Sequence, residues 1–275
     1  MNEPIGHEHV DAVVAAQNSS HAEGHDYDKG SPHLRHDNLR AMTEKRLTDL
    51  VVASIARTGA CRVLEVGAGH GTFTRCLLAA GATITVTETS SASADHLRRQ
   101  FGESGMVEVR FDETGEVILE SEDRWDLAIM TSVIHHIPDY LSFLDRLADL
   151  VVDGGSIFTV QDPLYYPRMS KVAHAADRAS YFAWRVGQGS YGRGIATRIR
   201  RMRGVYLDSE PSDLVEYHVM RDGVDEEAIS ERLGKLFENV DIFRYWSTQS
   251  PLLQRLGDRT KMLTTFGVEA TGRRR

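Results

Sequence analysis

The chain reads Val63-Leu64-Glu65-Val66-Gly67-Ala68-Gly69-His70-Gly71-Thr72-Phe73 where an apolar run ends in an acid and a glycine-rich turn follows. Residues 62–66 predict a buried parallel strand, and residues 72–80 predict the helix after it. Glycines in such a turn permit positive φ and leave the first N–H groups of the helix open to a ligand. The pattern predicts an α/β fold with a ligand crevice at the carboxyl ends of its strands. The alternative is a turn that binds nothing.

The glycine spacing disfavours a dinucleotide site. That site uses G-x-G-x-x-G, whereas Thr72 stands where its third glycine would be. The E-x-G-x-G-x-G pattern resembles motif I of the class I S-adenosylmethionine (SAM) dependent methyltransferases. The resemblance implies that Glu65 faces the methionine ammonium of SAM, a pairing that Coulomb attraction favours. It also implies that the turn contacts the cofactor through Gly67, Ala68, Gly69 and Gly71.

Acids also follow the next two predicted strands. Residues 82–87 end at Glu88, followed by Thr89, and an acid about 20 residues after the glycine turn commonly binds ribose hydroxyls. The alternative for Glu88 is a helix N-terminal carboxylate that only favours the helix dipole. Strand three covers residues 107–111. The resemblance implies that Asp112 and Glu113 contact the adenine, although either could be an ordinary loop acid.

The fourth strand covers residues 125–130, and the segment after it resembles the family's post-strand-four segment. The resemblance implies that Thr131 and Ser132 meet the cofactor. Two adjacent histidines cannot both face inward, so we expect His135 to face in as a general base. His136 is then packed or solvated beside the cofactor site, and a capping role for one histidine is the alternative. The further candidate bases are His174 and Asp162.

The remaining pattern completes one fold. A helix over residues 140–150 ends at Asp153-Gly154-Gly155, and strand five covers residues 156–161. Another helix and two final strands, with an antiparallel edge, follow after residue 225. We therefore predict a doubly wound Rossmann-like sheet of seven mostly parallel strands. The predicted parts are an N-terminal arm or lid (1–37), a SAM-binding core (38–162), a helical cap for the acceptor (163–224) and the last part of the core sheet (225–275).

The arm and the cap should determine the acceptor. The arm holds six of the 12 histidines, but their spacing matches no metal site, so no metal is predicted. By the family resemblance Tyr27 folds over the cofactor, and a disordered tail is the alternative. Aromatic residues in the cap suit an apolar or aromatic small molecule, although such residues are often core. The candidate substrate contacts are Tyr165, Tyr166, Tyr181, Phe182, Trp184 and Tyr191.

Composition restricts the partners. A formal charge of −8 argues against a general nucleic-acid binder. The arginines from Arg193 to Arg203 could meet an acidic substrate or RNA, or form a solvated helix face or a subunit contact. No apolar run approaches the roughly 20 residues that span a bilayer, and no signal peptide is evident, so a cytoplasmic location is expected. Val10, Val13 and Val14 form a short apolar stripe that is too small to be stable alone, so it must pack on the chain's own core or on a neighbouring subunit. We favour the neighbour, which predicts a homo-oligomer that could form through exchange of the N-terminal helix.

These features together predict SAM-dependent methylation of a small, largely apolar or aromatic metabolite in secondary metabolism. The chain also resembles the natural-product carbon methyltransferases of the teleocidin type, which implies a carbon acceptor on a prenyl or terpenoid chain. This second resemblance rests on no single motif. The alternatives are O- or N-methylation of a small metabolite, an RNA methyltransferase, and a SAM-binding protein without activity.

Overall fold

The computed structural model describes residues 31–187, 222–260 and 262–275, with the backbone alone for residues 181–187. Tyr27, Tyr191 and the arginines from Arg193 to Arg203 lie outside these residues. The helices and strands are α1 Pro32–Arg35, α2 Asp37–Thr58, β1 Arg62–Val66, α3 Thr72–Ala79, β2 Thr83–Glu88, α4 Ser91–Phe101, β3 Val107–Phe111, β4 Trp125–Thr131, α5 Tyr140–Asp149, β5 Val151–Pro163, α6 Lys171–Gly187, α7 Glu226–Gly234, β6 Phe237–Tyr245, α8 Pro251–Gly257 and β7 Thr265–Arg273.

The strands form a seven-stranded sheet in the order β3-β2-β1-β4-β5-β7-β6. Strands β1 to β5 pair in parallel, whereas β7 runs antiparallel to both of its neighbours. The predicted doubly wound sheet of mostly parallel strands is confirmed. The predicted antiparallel edge is also confirmed, since β6 at the edge pairs antiparallel with β7, which inserts between β5 and β6.

The strand order reverses direction around β1. From β1 the chain moves outward to β2 and β3, and then returns to place β4 on the other side of β1. The helices that follow β1 and β4 therefore diverge, and a crevice opens at the carboxyl ends of these two strands. The glycine turn after β1 and the histidine segment after β4 meet at this crevice.

Alternating side chains on the strands build two apolar clusters, one on each face of the sheet. Leu64 and Ala128 belong to one cluster, whereas their neighbours Val63 and Ile129 belong to the other. All four are fully buried. A parallel strand covered on both faces is expected to be apolar throughout, as β1 is. Within the described part of the chain, no helix combines the length and apolarity needed to cross a bilayer.

The predicted turn at Asp153-Gly154-Gly155 is instead a bulge inside β5. Helix α5 ends earlier, at Asp149, and β5 has already begun at Val151. The register with β4 moves from Trp125 opposite Val151 to Leu127 opposite Ser156. Gly154 absorbs this shift with a φ of +73°, a conformation that glycine adopts without strain.

Candidate functional site

A cavity of about 250 Å³ lies at the carboxyl ends of β1, β2 and β4. Most of the predicted cofactor residues form its wall. These are Glu65, Gly67, Ala68, Gly69, Glu88, Thr89, Asp112, Thr131, Ser132 and His136. Gly71 and Glu113 do not line the cavity, and Glu113 is exposed at the surface.

The glycine turn curls over this cavity with left-handed backbone at Gly67 and Gly69. The Gly69 N–H donates a hydrogen bond to Glu88, which ties the turn to the end of β2. Gly71 must be a glycine for a different reason, because a Cβ at this position would lie 2.5 Å from the Phe101 ring of α4. The glycine at position 71 is therefore needed for helix packing, and its contact with a cofactor stays a prediction.

Two carboxylic acids, Glu65 and Glu88, are buried in the cavity wall with 3% and 7% of their surfaces exposed. The Thr74 hydroxyl donates to Glu65 at 2.6 Å. Burial raises the pKa of Glu65 to about 7. Burial also raises the pKa of Glu88 to about 8, with a smaller rise from the nearby Glu65 charge. A ligand with an ammonium group and hydroxyls would stabilise both carboxylates in their charged form.

Asp112 lies in the cavity wall but holds its own loop together. Its Oδ1 accepts the N–H groups of Gly115 and Val117 at 2.9 and 3.2 Å. Its Oδ2 accepts the Ile118 N–H at 2.9 Å, and the Thr114 hydroxyl also donates to Oδ1. The carboxylate thus has a structural task, and its contact with an adenine stays a prediction.

The two adjacent histidines take different positions after β4. His136 lines the cavity, whereas His135 is its immediate neighbour and is not part of the cavity wall; the two ring centroids are 4.0 Å apart. Asp162 Oδ1 is 2.8 Å from His135 Nδ1 and also accepts the His135 backbone N–H at 3.1 Å. The expectation that His135 alone faces inward is wrong. The structure joins two of the three candidate bases, His135 and Asp162, into one buried pair.

A backbone irregularity in β5 presents Asp162 to His135. Gln161 has a φ of +70°, and the register between β5 and β7 shifts between Val160 and Asp162. The Gln161 N–H donates to the Tyr245 hydroxyl at 3.0 Å, and that hydroxyl donates to Gln161 Oε1 at 3.2 Å. Burial, together with the Asp162 charge, raises the pKa of Tyr245 well above its usual value. The phenol therefore stays neutral and fixes the bulge.

The N-terminal segment supplies part of the wall through Ser31, His33 and Leu34. Only 4% of the His33 surface is exposed, and its ring stacks on Phe73 with centroids 5.9 Å apart. Burial lowers the pKa of His33 to about 3, and the nearby His135 adds to this effect. Sequence reasoning missed this residue. The available signal was Pro32, which starts a helix directly before it.

The other predicted acceptor residues lie outside the cavity wall. His174 packs against Tyr166 with ring centroids 4.9 Å apart, and the Arg168 guanidinium lies 4.8 Å from the Tyr165 ring centroid. Tyr181, Phe182 and Trp184 are on α6, where the structure describes the backbone alone. The roles of these residues stay predictions. Among residues 31–187, 222–260 and 262–275, no cluster of three or more His, Cys, Asp or Glu side chains could hold a metal ion.

The wall geometry fits the cofactor that the sequence predicts. Glu65 and Glu88 match an ammonium and ribose hydroxyls, and the buried Thr131 hydroxyl has no hydrogen-bond partner among the described residues. The model of a methyltransferase domain matches residues 29–193, more than half of the chain. The chain belongs to the methyltransferase domain family. This match confirms the family and the enzyme class predicted from the glycine motif, with SAM as the cofactor of that class.

Curated relatives of this methyltransferase include O-methyltransferases of ubiquinone biosynthesis. The protein from Xanthomonas campestris pv. campestris (strain B100) is 30% identical over 121 residues, which cover 44% of this chain and 50% of the relative. The protein from Bordetella avium (strain 197N) is 33% identical over 98 residues, covering 35% of this chain and 41% of the relative. The chain thus matches these relatives over half of their length or less.

Solved structures share the fold of this methyltransferase at low sequence identity. The N-methyltransferase NodS from Bradyrhizobium japonicum WM9, in complex with S-adenosyl-L-homocysteine (SAH), has a TM-score of 0.52 and 13% identity. The match covers 95% of this chain and 98% of NodS. The DhpI–SAH complex also has a TM-score of 0.52, with 15% identity and the same coverage. At this identity the likeness confirms the Rossmann-like methyltransferase sheet.

Proposed function

We propose that this chain transfers the methyl group of SAM to an oxygen or nitrogen of a small, largely apolar or aromatic metabolite of secondary metabolism. The observation that carries the choice of acceptor atom is the His135–Asp162 pair, whose nitrogen and oxygen are 2.8 Å apart beside the cavity. An O–H or N–H acceptor must lose a proton during transfer, whereas an alkene carbon needs no base before transfer.

Different residues of the cavity wall would bind different parts of the cofactor. Glu65 would pair with the ammonium of the cofactor and Glu88 would accept its ribose hydroxyls, while the turn at Gly67 and Gly69 would let the backbone approach it closely. When bound, SAM supplies an electrophilic methyl group. The protein then has to exclude water and hold the acceptor at a near-attack distance, which is worth several kcal/mol.

His135 acts as the proton acceptor in this proposal. Asp162 is fully buried, and its Oδ1 holds both the backbone N–H and the Nδ1 of His135. A carboxylate in this position keeps the proton on Nδ1, so the acceptor's proton goes to Nε2. The Asp162 charge stabilises the imidazolium that forms. An apolar or aromatic acceptor is supported by the eight aromatic residues within residues 163–217.

Labelled SAM tests the proposal against a panel of phenols, aliphatic amines, prenyl alkenes and bulk RNA. We expect label in a phenol or an amine, and loss of transfer in Gly69→Val, whose side chain fills cofactor space. His135→Ala and Asp162→Asn should lower kcat by about 10²- to 10⁴-fold, the usual contribution of a general base. SAH affinity, measured by calorimetry, should stay the same in both variants.

Three results would overturn this assignment. Transfer to RNA alone would identify a different substrate class, and SAH binding without transfer to any acceptor would identify a binding protein. Label in a prenyl carbon, with full activity in His135→Ala, would show a carbon acceptor that needs no base.

A further inference from the structure

His33 is a polar side chain in an unusual place. It belongs to the four-residue helix α1, in a segment that sequence reasoning treated as a lid, yet it is 96% buried and lines the cavity. Its Nδ1 is buried and has no hydrogen-bond partner among the described residues. Leaving such an atom unpaired costs about 1–3 kcal/mol, so a partner that arrives with a ligand would stabilise the bound state.

The location of His33 in the cavity favours a contact with the methyl acceptor over a contact with the ribose or adenine end of the cofactor. Its ring stacks on Phe73 of α3, at an interplanar angle of 20°, which fixes the plane of the imidazole. It also lies close enough to His135 for the two imidazoles to interact electrostatically. His33 therefore lies on the side of the cavity where α3 follows β1, whereas Glu88 and Asp112 follow β2 and β3 toward the opposite edge of the sheet.

The chemistry of His33 restricts what it can bind. Because burial keeps the imidazole neutral near neutral pH, one ring nitrogen carries a hydrogen and the other accepts a hydrogen bond. A neutral ring also avoids repulsion from a sulfonium cofactor. The group that suits the accepting nitrogen is a hydroxyl or an amine N–H.

We propose that His33 binds the methyl acceptor, with Nδ1 accepting a hydrogen bond from the acceptor's O–H or N–H group. The residue then selects acceptors that carry such a group and orients the oxygen or nitrogen beside His135. This inference rests on the proposed function, and it adds a specificity residue from the N-terminal segment to the site.

Two variants distinguish the contribution of the ring nitrogen to binding from the contribution of the aromatic ring. His33→Phe keeps an aromatic ring against Phe73 but removes both nitrogens. His33→Asn loses the ring, but its amide can restore a hydrogen-bonding atom near the Nδ1 position. The probes are phenol and anisole, which differ in the hydroxyl hydrogen and one methyl group. Their binding to the SAH complex is measured by NMR titration, so the readout does not depend on turnover.

The wild-type SAH complex should bind phenol about 3- to 10-fold more tightly than anisole, the factor expected for one hydrogen bond. His33→Phe should bind both probes equally, and His33→Asn should recover part of the preference. SAH affinity should be unchanged in both variants. Turnover on the acceptor found with labelled SAM should show a raised KM in His33→Phe.

Other outcomes overturn the inference. If the wild type does not prefer phenol, or if His33→Phe keeps the preference, His33 does not recognise the hydroxyl. If SAH affinity falls in His33→Phe and returns in His33→Asn, the nitrogen serves the cofactor instead. A phenol preference that His33→Phe abolishes, in a protein that transfers no methyl group, would refute the proposed function while leaving His33 as a ligand contact.

Discussion

The Tyr245 hydroxyl holds the Gln161 residue at both its backbone and its side chain. It accepts the Gln161 N–H at 3.0 Å and donates to Gln161 Oε1 at 3.2 Å, while Gln161 Nε2 donates to Ser247 at 2.8 Å. These bonds stabilise a non-glycine residue at a φ of +70°, which costs about 1–3 kcal/mol when unsupported. The next residue is Asp162, which holds the proposed base His135. The Tyr245 hydroxyl therefore positions His135 indirectly, by fixing the strained backbone just before Asp162.

Tyr245→Phe should therefore lower kcat by about tenfold, because Asp162 loses its fixed position, and should lower the free energy of unfolding by about 1–3 kcal/mol. SAH affinity should not change. The ¹⁵N NMR signals of the His135 ring should shift, a response that a purely structural role would not produce.

Tyr140→Phe is the matched control for this variant. The Tyr140 hydroxyl likewise accepts a backbone N–H, from Asp225 at 3.2 Å, but Asp225 is the N-cap of α7 and does not precede Asp162 in β5. Its removal should cost stability without changing the His135 signals. Equal effects of the two variants on kcat would show that Tyr245 has no positioning role.

Glu88→Ala should weaken SAH binding by about 10- to 150-fold, the equivalent of 1.5–3 kcal/mol for hydrogen bonds to a charged group. Calorimetry measures this loss directly. Glu113→Ala provides the control, because Glu113 is exposed and lies outside the cavity wall. Unchanged affinity in Glu88→Ala with a lower Tm would mean that the carboxylate only ties down Gly69.

Cofactor affinity should depend on pH through the two buried acids. Burial raises the pKa of Glu65 to about 7 and of Glu88 to about 8, so both are largely protonated at pH 6 in the ligand-free protein. An ammonium and hydroxyl donors favour the carboxylates, and binding should release protons. SAH affinity should rise between pH 6 and 8, and calorimetry in buffers of different ionisation enthalpy should detect the released protons.

Glu65 and Glu88 also determine how the stability of the ligand-free protein changes with pH. Their pKa values are raised above the unfolded value of 4.5, so the ligand-free protein should lose stability as pH rises from 4.5 to about 8. His33 acts in the opposite sense, because its pKa is lowered from 6.5 to about 3. Its burial as a neutral ring should make the fold less stable as pH falls from 6.5 toward 3. A Glu65→Gln, Glu88→Gln double variant with an unchanged Tm slope above pH 6.5 would contradict this account.

Gly71→Ala should destabilise the fold by about 1–3 kcal/mol, since its Cβ would lie 2.5 Å from the Phe101 ring and its φ is +75°. Phe101→Leu should recover part of this loss, which denaturant unfolding of the double variant would show. Gly102→Ala is the control, because a Cβ there meets nothing within 4 Å. Equal losses for Gly71→Ala and Gly102→Ala would argue against the contact.

Deletion of residues 1–30 tests the predicted lid and oligomer while keeping His33 in the chain. We expect a folded core, a sharp loss of turnover and a smaller particle by light scattering, because we propose that the N-terminal helix packs on a neighbouring subunit. A loss in Tyr27→Ala but not in Tyr27→Phe would identify the ring as the lid. Full activity and unchanged mass in the truncated protein would refute both proposals.

The sequence predicted the parts of the site that follow directly from strand ends. The apolar run into Glu65 and the acid after β2 identify β1, β2 and the cavity between them, since a parallel strand and its glycine turn are local patterns. The His135–Asp162 pair depends on residues 27 positions apart and on the left-handed Gln161, which no local pattern marks. For the same reason the insertion of β7 between β5 and β6 was not predicted.

The position of β7 also affects how the protein is made. Residues 265–273 cover the outer edge of β5, where Phe266 pairs with Asp162 and Gly267 with Val160. On the ribosome, β1 to β5 emerge about 100 residues before this strand, so the nascent chain exposes an unpaired β5 edge during that interval. The acid behind His135 reaches its final register only after β7 has been synthesised, and a chain interrupted before residue 265 would carry the cofactor motif without a completed acceptor site.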